Sequence, residues 1–293
     1  MKSKLKNINL FYYNTLNFGD ALGLLLIEEF SDSEYNVYCK DIIMSRKEKI
    51  AAVLTLDYSK IKSILWPTEK VLGCIGSIMN WLPKGSLVWG CGFMNNSEYY
   101  KGGTVFAVRG KLTDEKLRKQ GLAGCNVYGD PALLLPLWIK SSQKKVYKLG
   151  VIPHWGDVDF FVENYGNLYK IIDSRTKNIK HIVDEINKCE RILSSSLHGI
   201  IIAHAYNIPA LWIKKGDIGS QNGFKFKDYF SSVNIPFYDG FECLDEIFHN
   251  GKWLELFDNN KNKMNINCSL KQIQNNLLRS APFNLKEKYS KLI

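Results

Sequence analysis

Between Leu193 and Ile213 the chain reads Leu-Ser-Ser-Ser-Leu-His-Gly-Ile-Ile-Ile-Ala-His-Ala-Tyr-Asn-Ile-Pro-Ala-Leu-Trp-Ile, and no other stretch carries as much chemistry. A short strand, Arg191 to Leu193, runs into three serines and His198. An apolar helix, Gly199 to Tyr206, and a second strand, Ala210 to Ile213, follow. At such a junction the hydroxyls of Ser195 and Ser196 are expected to satisfy free backbone N–H groups at the helix start. The same helix start, with Leu197 and Gly199 around the histidine, attracts anions. His198 beside an anion site is therefore a candidate general acid or base. His204, six residues later, points away at about 100° per residue, so the pair cannot clamp a metal ion.

Other candidates fall where strands are expected to end, the edge at which open α/β sheets bind ligands. Asn17-Phe18-Gly19-Asp20 follows the first strand; Gly19 permits a crowded backbone, and Asp20 either caps the next helix or contacts a sugar hydroxyl. Gly90-Cys91-Gly92 offers either close backbone approach to a ligand or a tight turn, and no G-x-G-x-x-G fingerprint is present. Arg109 is either a fork for carboxylate or phosphate or a surface ion pair. Asp130, between Gly129 and Pro131, reads as a turn cap. His154 follows Pro153 directly after a strand and is a second candidate catalytic residue. Lys225 and Lys227 alternate with aromatics in Phe-Lys-Phe-Lys-Asp-Tyr-Phe. They read either as a half-buried strand or as the end of a basic loop, Lys214 to Lys227, closing over an anion.

The elements that must position these groups alternate between strand and helix along the whole chain, which predicts α/β layers with mainly parallel sheets. Strands are expected at Ile8 to Tyr13, Val71 to Gly73, Leu87 to Gly90, Thr104 to Val108, Asn126 to Tyr128, Leu149 to Ile152 and Tyr169 to Ile172. Helices are expected at Ala21 to Phe30, Thr113 to Gln120, Ile182 to Lys188 and Ser269 to Arg279. The polar segment Ser141-Ser142-Gln143-Lys144-Lys145 reads as a linker, dividing the chain into a lobe over residues 1–140 and another over 146–293. Two Rossmann-like lobes with a ligand cleft between them is the expected architecture.

Bulk properties set limits on function. The 293 residues, 45% of them hydrophobic and 23% charged, hold core material for two ordinary domains. The seven cysteines are scattered, with no close C-x-x-C pair, which argues against a zinc site or a disulfide framework and suits a reducing cytoplasm. The net charge of +10 comes from basic residues mixed with Asp and Glu. It suits an anionic substrate or peripheral contact with an anionic inner membrane surface better than a nucleic-acid partner. The basic start, Met1 to Asn7, leads into a strand and not into a signal-peptide block.

In order and spacing the chain resembles the polysaccharide pyruvyl transferase family. The resemblance rests on Asn17-Phe18-Gly19-Asp20, Val88-Trp89-Gly90-Cys91-Gly92-Phe93, Val108-Arg109-Gly110, Tyr128-Gly129-Asp130-Pro131-Ala132-Leu133-Leu134, Ile152-Pro153-His154 and Ser195-Ser196-Leu197-His198-Gly199. It implies a fold similar to two-lobed glycosyltransferases of the GT-B type. It further implies transfer of an enolpyruvyl unit from phosphoenolpyruvate to a sugar of a surface polysaccharide, free or lipid-linked. The product would be a pyruvate ketal and phosphate, with no metal or redox cofactor. The acceptor side is expected in the N-terminal lobe and the phosphoenolpyruvate side in the C-terminal one. Many members carry arginine where Ser196 stands, a residue read as gripping phosphoenolpyruvate; Arg109, Lys225 and Lys227 are the candidates to replace its charge. Two rival readings share the composition: a nucleotide-sugar glycosyltransferase, and a non-catalytic protein that binds anionic glycans.

Overall fold

The computed structural model describes residues 8–13, 16–32, 37–41, 46–58, 61, 70–141, 143–216, 223–242 and 244–293. The whole basic start, residues 1–7, Ser142 of the expected linker and residues 217–222 of the expected basic loop lie outside the described residues. Within them the chain builds two parallel sheets. The first contains β1 (Ile8–Tyr12), β2 (Val37–Asp41), β3 (Val71–Gly73), β4 (Ser86–Trp89) and β5 (Gly103–Ala107), in the order β2-β1-β3-β4-β5. The second contains β6 (Gly150–Ile152), β7 (Lys170–Ile171), β8 (Ile192–Ser194) and β9 (Ala210–Trp212), in the order β7-β6-β8-β9.

The strands Ser86–Trp89, Gly150–Ile152, Ile192–Ser194 and the edge strand Ala210–Trp212 are short and buried end to end, as strands covered by helices on both faces must be. In each sheet the chain steps to one side of its first strand and, after its second, crosses to the other side. That puts a topological switch point between β1 and β3, and another between β6 and β8. The loops leaving these strands carry most of the candidate residues.

A continuous apolar core joins the sheets, running from Ile8 and Leu10 through Leu133 and Leu134 to Leu193, Ile200 and Leu277. The C-terminal helix, Leu270–Ser280, packs through Ile273, Leu277 and Leu278 and returns to the first sheet, where Trp89 Nε1 donates to Leu277 O at 3.0 Å. Farther on, the Tyr289 hydroxyl and Lys288 both meet Glu29 of helix Phe18–Phe30. No helix among the described residues is long and apolar enough to cross a membrane.

Most expected elements appear within a few residues of their predicted limits, and two do not. The strand expected at Asn126 to Tyr128 is reduced to a single parallel bridge between Tyr128 and Val108. The alternating run beginning at Phe224 is not a strand but a helix, Phe224–Ser232. Its buried residues Phe226, Tyr229, Phe230 and Val233 recur at i, i+3, i+4 and i+7, and that longer period overrides the short alternation of lysine and aromatic.

Candidate active site

At the second sheet's switch point, β6 turns through Pro153 into His154. Beside it β8 turns through Ser195 and Ser196 into helix Leu197–Ala205. The two turns are tied together: the His154 N–H donates to Ser195 Oγ at 2.8 Å, and Ser195 is fully buried. Ser194 Oγ, also buried, accepts from the Ser196 N–H at 3.0 Å. Ser196 is the N-cap residue, yet its hydroxyl makes no capping bond. The expectation that Ser195 and Ser196 cap the helix is therefore corrected. Ser195 serves His154, and the first-turn N–H groups of this helix have no side-chain cap. Leu197 points into the core, and Gly199 lets the helix lie on Ser194 and Ile152.

The first sheet's switch point delivers Asn17 to Asp20. Asn17, and not Asp20, caps helix Phe18–Phe30, accepting from the Gly19 N–H at 3.1 Å. The Phe18 N–H donates to Ser174 O at 3.1 Å, which pins this helix start to the loop after β7. Gly19 then lies directly on the imidazole of His198. A Cβ built on Gly19 would overlap Nδ1 and Cγ of that ring. Phe18 meets the same ring edge-on, with centroids 6.5 Å apart. Motifs far apart in sequence thus converge on one histidine, which is 9% exposed.

On its other side His198 meets Asp130. His198 Nε2 and Asp130 Oδ2 lie 3.7 Å apart. The carboxylate is wholly buried, and its other oxygen, Oδ1, accepts from the Ala132 N–H at 2.9 Å. The cap role read for Asp130 is correct for Oδ1 and omits Oδ2. Gly90, with φ +97°, accepts the crowding of Pro131 that holds Asp130 in place; a Cβ there would overlap the proline ring.

Lys225 is 7% exposed on helix Phe224–Ser232 and has no ion-pair partner among the described residues. Burial pulls its ammonium down to about 8, the nearby Arg109 charge adds to the effect, and Asp20 opposes it. The same ammonium acts on His154, whose proton affinity is lowered by burial first and by Lys225 second, against the pull of Asp157. Lys225, His154 and Asp20 are therefore electrostatic neighbours. Because Lys225 holds fewer protons folded than unfolded, its destabilising effect is full below about pH 8. It fades as pH rises toward 10.5, so stability rises over that window. Lys225→Met is expected to raise the melting temperature at pH 7 and to abolish this rise, as a melting series from pH 7 to 10 would check. An unchanged or lower melting temperature would mean the ammonium has a compensating partner.

Three expected ligand contacts lie elsewhere. Arg109 is fully buried, with Nε on Asp228 Oδ2 at 2.9 Å, Nη1 on Ser77 Oγ at 2.7 Å and Nη2 on Phe93 O. It is neither a surface ion pair nor an open fork, because a guanidinium in the core must be paired. Gly92 makes space for that pair; a Cβ there would strike both Arg109 and Asp228. Lys227 pairs with Asp239 at 2.9 Å and lines a separate groove of about 750 Å³ with Lys116, Lys119 and Phe224. Among the described residues no group of three His, Cys, Asp or Glu side chains could hold a metal ion.

The model of the family described as polysaccharide pyruvyl transferase matches residues 82–214, which include Asp130, His154 and His198. The succinoglycan biosynthesis protein ExoV of Rhizobium meliloti (strain 1021) is 30% identical over 185 residues, covering 58% of this chain and 55% of its own length. The chain thus spans about half the length of that relative. An uncharacterized protein of Acanthamoeba polyphaga mimivirus is 28% identical over 211 residues, 69% of this chain and 70% of the viral protein. No solved structure matches.

Proposed function

Residues 82–214 of this chain belong to the polysaccharide pyruvyl transferase family, and on that premise we propose that it moves the enolpyruvyl group of phosphoenolpyruvate onto a sugar of a surface polysaccharide or its lipid-linked precursor. The observation that carries the reading is the convergence of Gly19, His198 and Asp130, with a buried cation, Lys225, acting on Asp20 and His154. Phosphoenolpyruvate needs a proton at C3, fixed positive charge for its carboxylate and phosphate, and a base for two hydroxyls. His198 Nε2 faces buried Asp130, which leaves Nδ1, on the Gly19 side, as the nitrogen that meets substrate.

In this reading the imidazolium of His198, with Nε2–H turned toward Asp130, gives its Nδ1 proton to C3, and the electron-poor C2 accepts a sugar hydroxyl whose proton returns to Nδ1. A second hydroxyl then bonds to C2 as the C2–O bond to phosphate breaks, its proton passing through His154 to the departing phosphate. Phosphoenolpyruvate and a diol give a cyclic ketal and inorganic phosphate, with the histidines restored. Lys225 and the uncapped N–H groups of helix Leu197–Ala205 hold the anion, in place of the arginine that many members carry at the position of Ser196. The two sheets act as the halves of a GT-B-like donor–acceptor cleft, with residues 146–293 on the donor side. The reaction runs where phosphoenolpyruvate is made, in the cytoplasm, with the basic surface resting on an anionic inner membrane.

The test is acceptor-dependent phosphate release from phosphoenolpyruvate across free and lipid-linked glycans. Saturable binding of a nucleotide sugar with none of phosphoenolpyruvate would replace this reading with a glycosyltransferase. A finer check uses Gly19→Ala. Alanine suits a helix better than glycine by about 1 kcal/mol, but the methyl would overlap Nδ1 and Cγ of the buried His198 ring and must push it aside. Turnover is expected to fall by at least about 10²-fold, as for a lost acid–base group, with a lowered melting temperature from the crowding. Near-normal turnover would show that Nδ1 does not meet substrate.

A further inference from the structure

Asp130 has no partner adequate to its burial. Its carboxylate is fully buried, and Oδ2 has no hydrogen bond among the described residues. The facing atom, His198 Nε2, is buried and equally without a hydrogen bond. A buried polar atom without a partner costs roughly 1–3 kcal/mol, and more when charged. Here two such atoms, one able to donate and one able to accept, face one another at 3.7 Å. The carboxylate also acts electrostatically on the thiols of Cys74 and Cys91 and the phenol of Tyr229, all buried.

The pair is held by rigid parts. Asp130 precedes the 3-10 turn Pro131–Leu134, whose four residues are all buried. Oδ1 is fixed by the Ala132 N–H, so Oδ2 has one direction in which to point. His198 sits in the first turn of helix Leu197–Ala205, with Gly19 against its opposite edge. A change of well under 1 Å closes the gap to an ordinary hydrogen bond.

We infer that Asp130 is the positioning residue of His198, accepting a hydrogen bond from Nε2–H and thereby fixing the imidazole tautomer that leaves Nδ1 free for substrate. The carboxylate also balances the imidazolium that forms when Nδ1 takes a proton, in a place water does not reach. Asp130 touches no substrate in this arrangement; it acts through the ring. The inference extends the pyruvyl-transfer reading, but its central measurement needs no substrate.

The experiment is long-range ¹H–¹⁵N correlation on ¹⁵N-histidine-labelled protein, with His198 assigned by its loss in His198→Gln. In the wild type the neutral ring of His198 is expected to carry its proton on Nε2. In Asp130→Asn the fixed Nε2–H form is expected to give way to a mixture or to the other tautomer. Kinetics on the same variants then add a split: kcat for Asp130→Asn falls by at least about 10²-fold, while KM for phosphoenolpyruvate stays within a few-fold, with circular dichroism and melting reporting an intact fold. A neutral ring that carries its proton on Nδ1 in the wild type, or an identical tautomer in wild type and Asp130→Asn, overturns the inference. Should Asp130→Asn fail to fold, the wild-type spectrum alone decides, since Nε2–H is required. An Nε2–H tautomer lost in Asp130→Asn, in a protein that never consumes phosphoenolpyruvate, would keep the pair and overturn the pyruvyl-transfer reading instead.

Discussion

Replacing His198 by glutamine is expected to lower pyruvyl transfer by at least about 10²-fold, the usual loss when a positioned acid–base group is removed. The fold should survive. The glutamine amide can still donate toward Asp130 Oδ2, so the carboxylate is not left facing an empty space. His198→Ala is expected to lose as much turnover and also some stability, because truncation strands that buried carboxylate. The measurement is initial-rate phosphate release from phosphoenolpyruvate with a responsive acceptor, beside a thermal melt of each variant. A His198→Gln protein with near-normal rates would show that the imidazole serves packing alone. Substitution at Ser196 is expected to do less: its hydroxyl caps nothing, and the backbone N–H groups around it persist in Ser196→Ala.

Asp228→Ala is expected to be the most destabilising single change in the molecule. Asp228 is wholly buried and accepts three hydrogen bonds, from Arg109 Nε, from the Thr113 N–H at 2.8 Å and from Thr113 Oγ1 at 2.7 Å. Helix Lys111–Lys119 begins at Gly110, which has no side chain, and Asp228 caps it from another helix. Removing the carboxylate leaves a buried guanidinium unpaired and a helix start uncapped, a loss of about 3–5 kcal/mol. In a chain of this size that lowers the melting temperature by on the order of 10 °C. The double variant Arg109→Met with Asp228→Ala is expected to recover part of the loss, since it removes the stranded charge. A melt within 1–2 °C of wild type, on the same size scaling, would mean the pair is not stabilising. The prediction also separates two roles for Arg109: as a ligand fork its loss would raise KM with little effect on melting, the reverse of what its burial implies.

Alternation of strand and helix announced parallel sheets, because a crossover helix between parallel strands leaves a periodic apolar stripe that local sequence records. The positions of His198 and His154 were legible for a related reason: His154 follows a short apolar strand, His198 lies in the first turn of the helix that follows another, and such edges are where this class of sheet holds ligands. The run from Phe224 misled because its first four residues alternate, whereas the apolar stripe that makes it helical extends to Val233.

What the linear chain determined by itself was therefore the α/β class, the strand-end positions of both histidines, the glycine at 19 and the run of motifs shared with one family. Tertiary structure decided which of those groups meet. Nothing near Asp130 distinguishes a cap with one engaged oxygen from a carboxylate whose other oxygen faces His198. Arg109 has the sequence context of a ligand fork, and only the arrival of Asp228 from a helix over a hundred residues away turns it into a buried strut. Periodicity and strand-end position are written into neighbouring residues. Burial and pairing of charge depend on chain segments brought together by the core, and no local pattern encodes them.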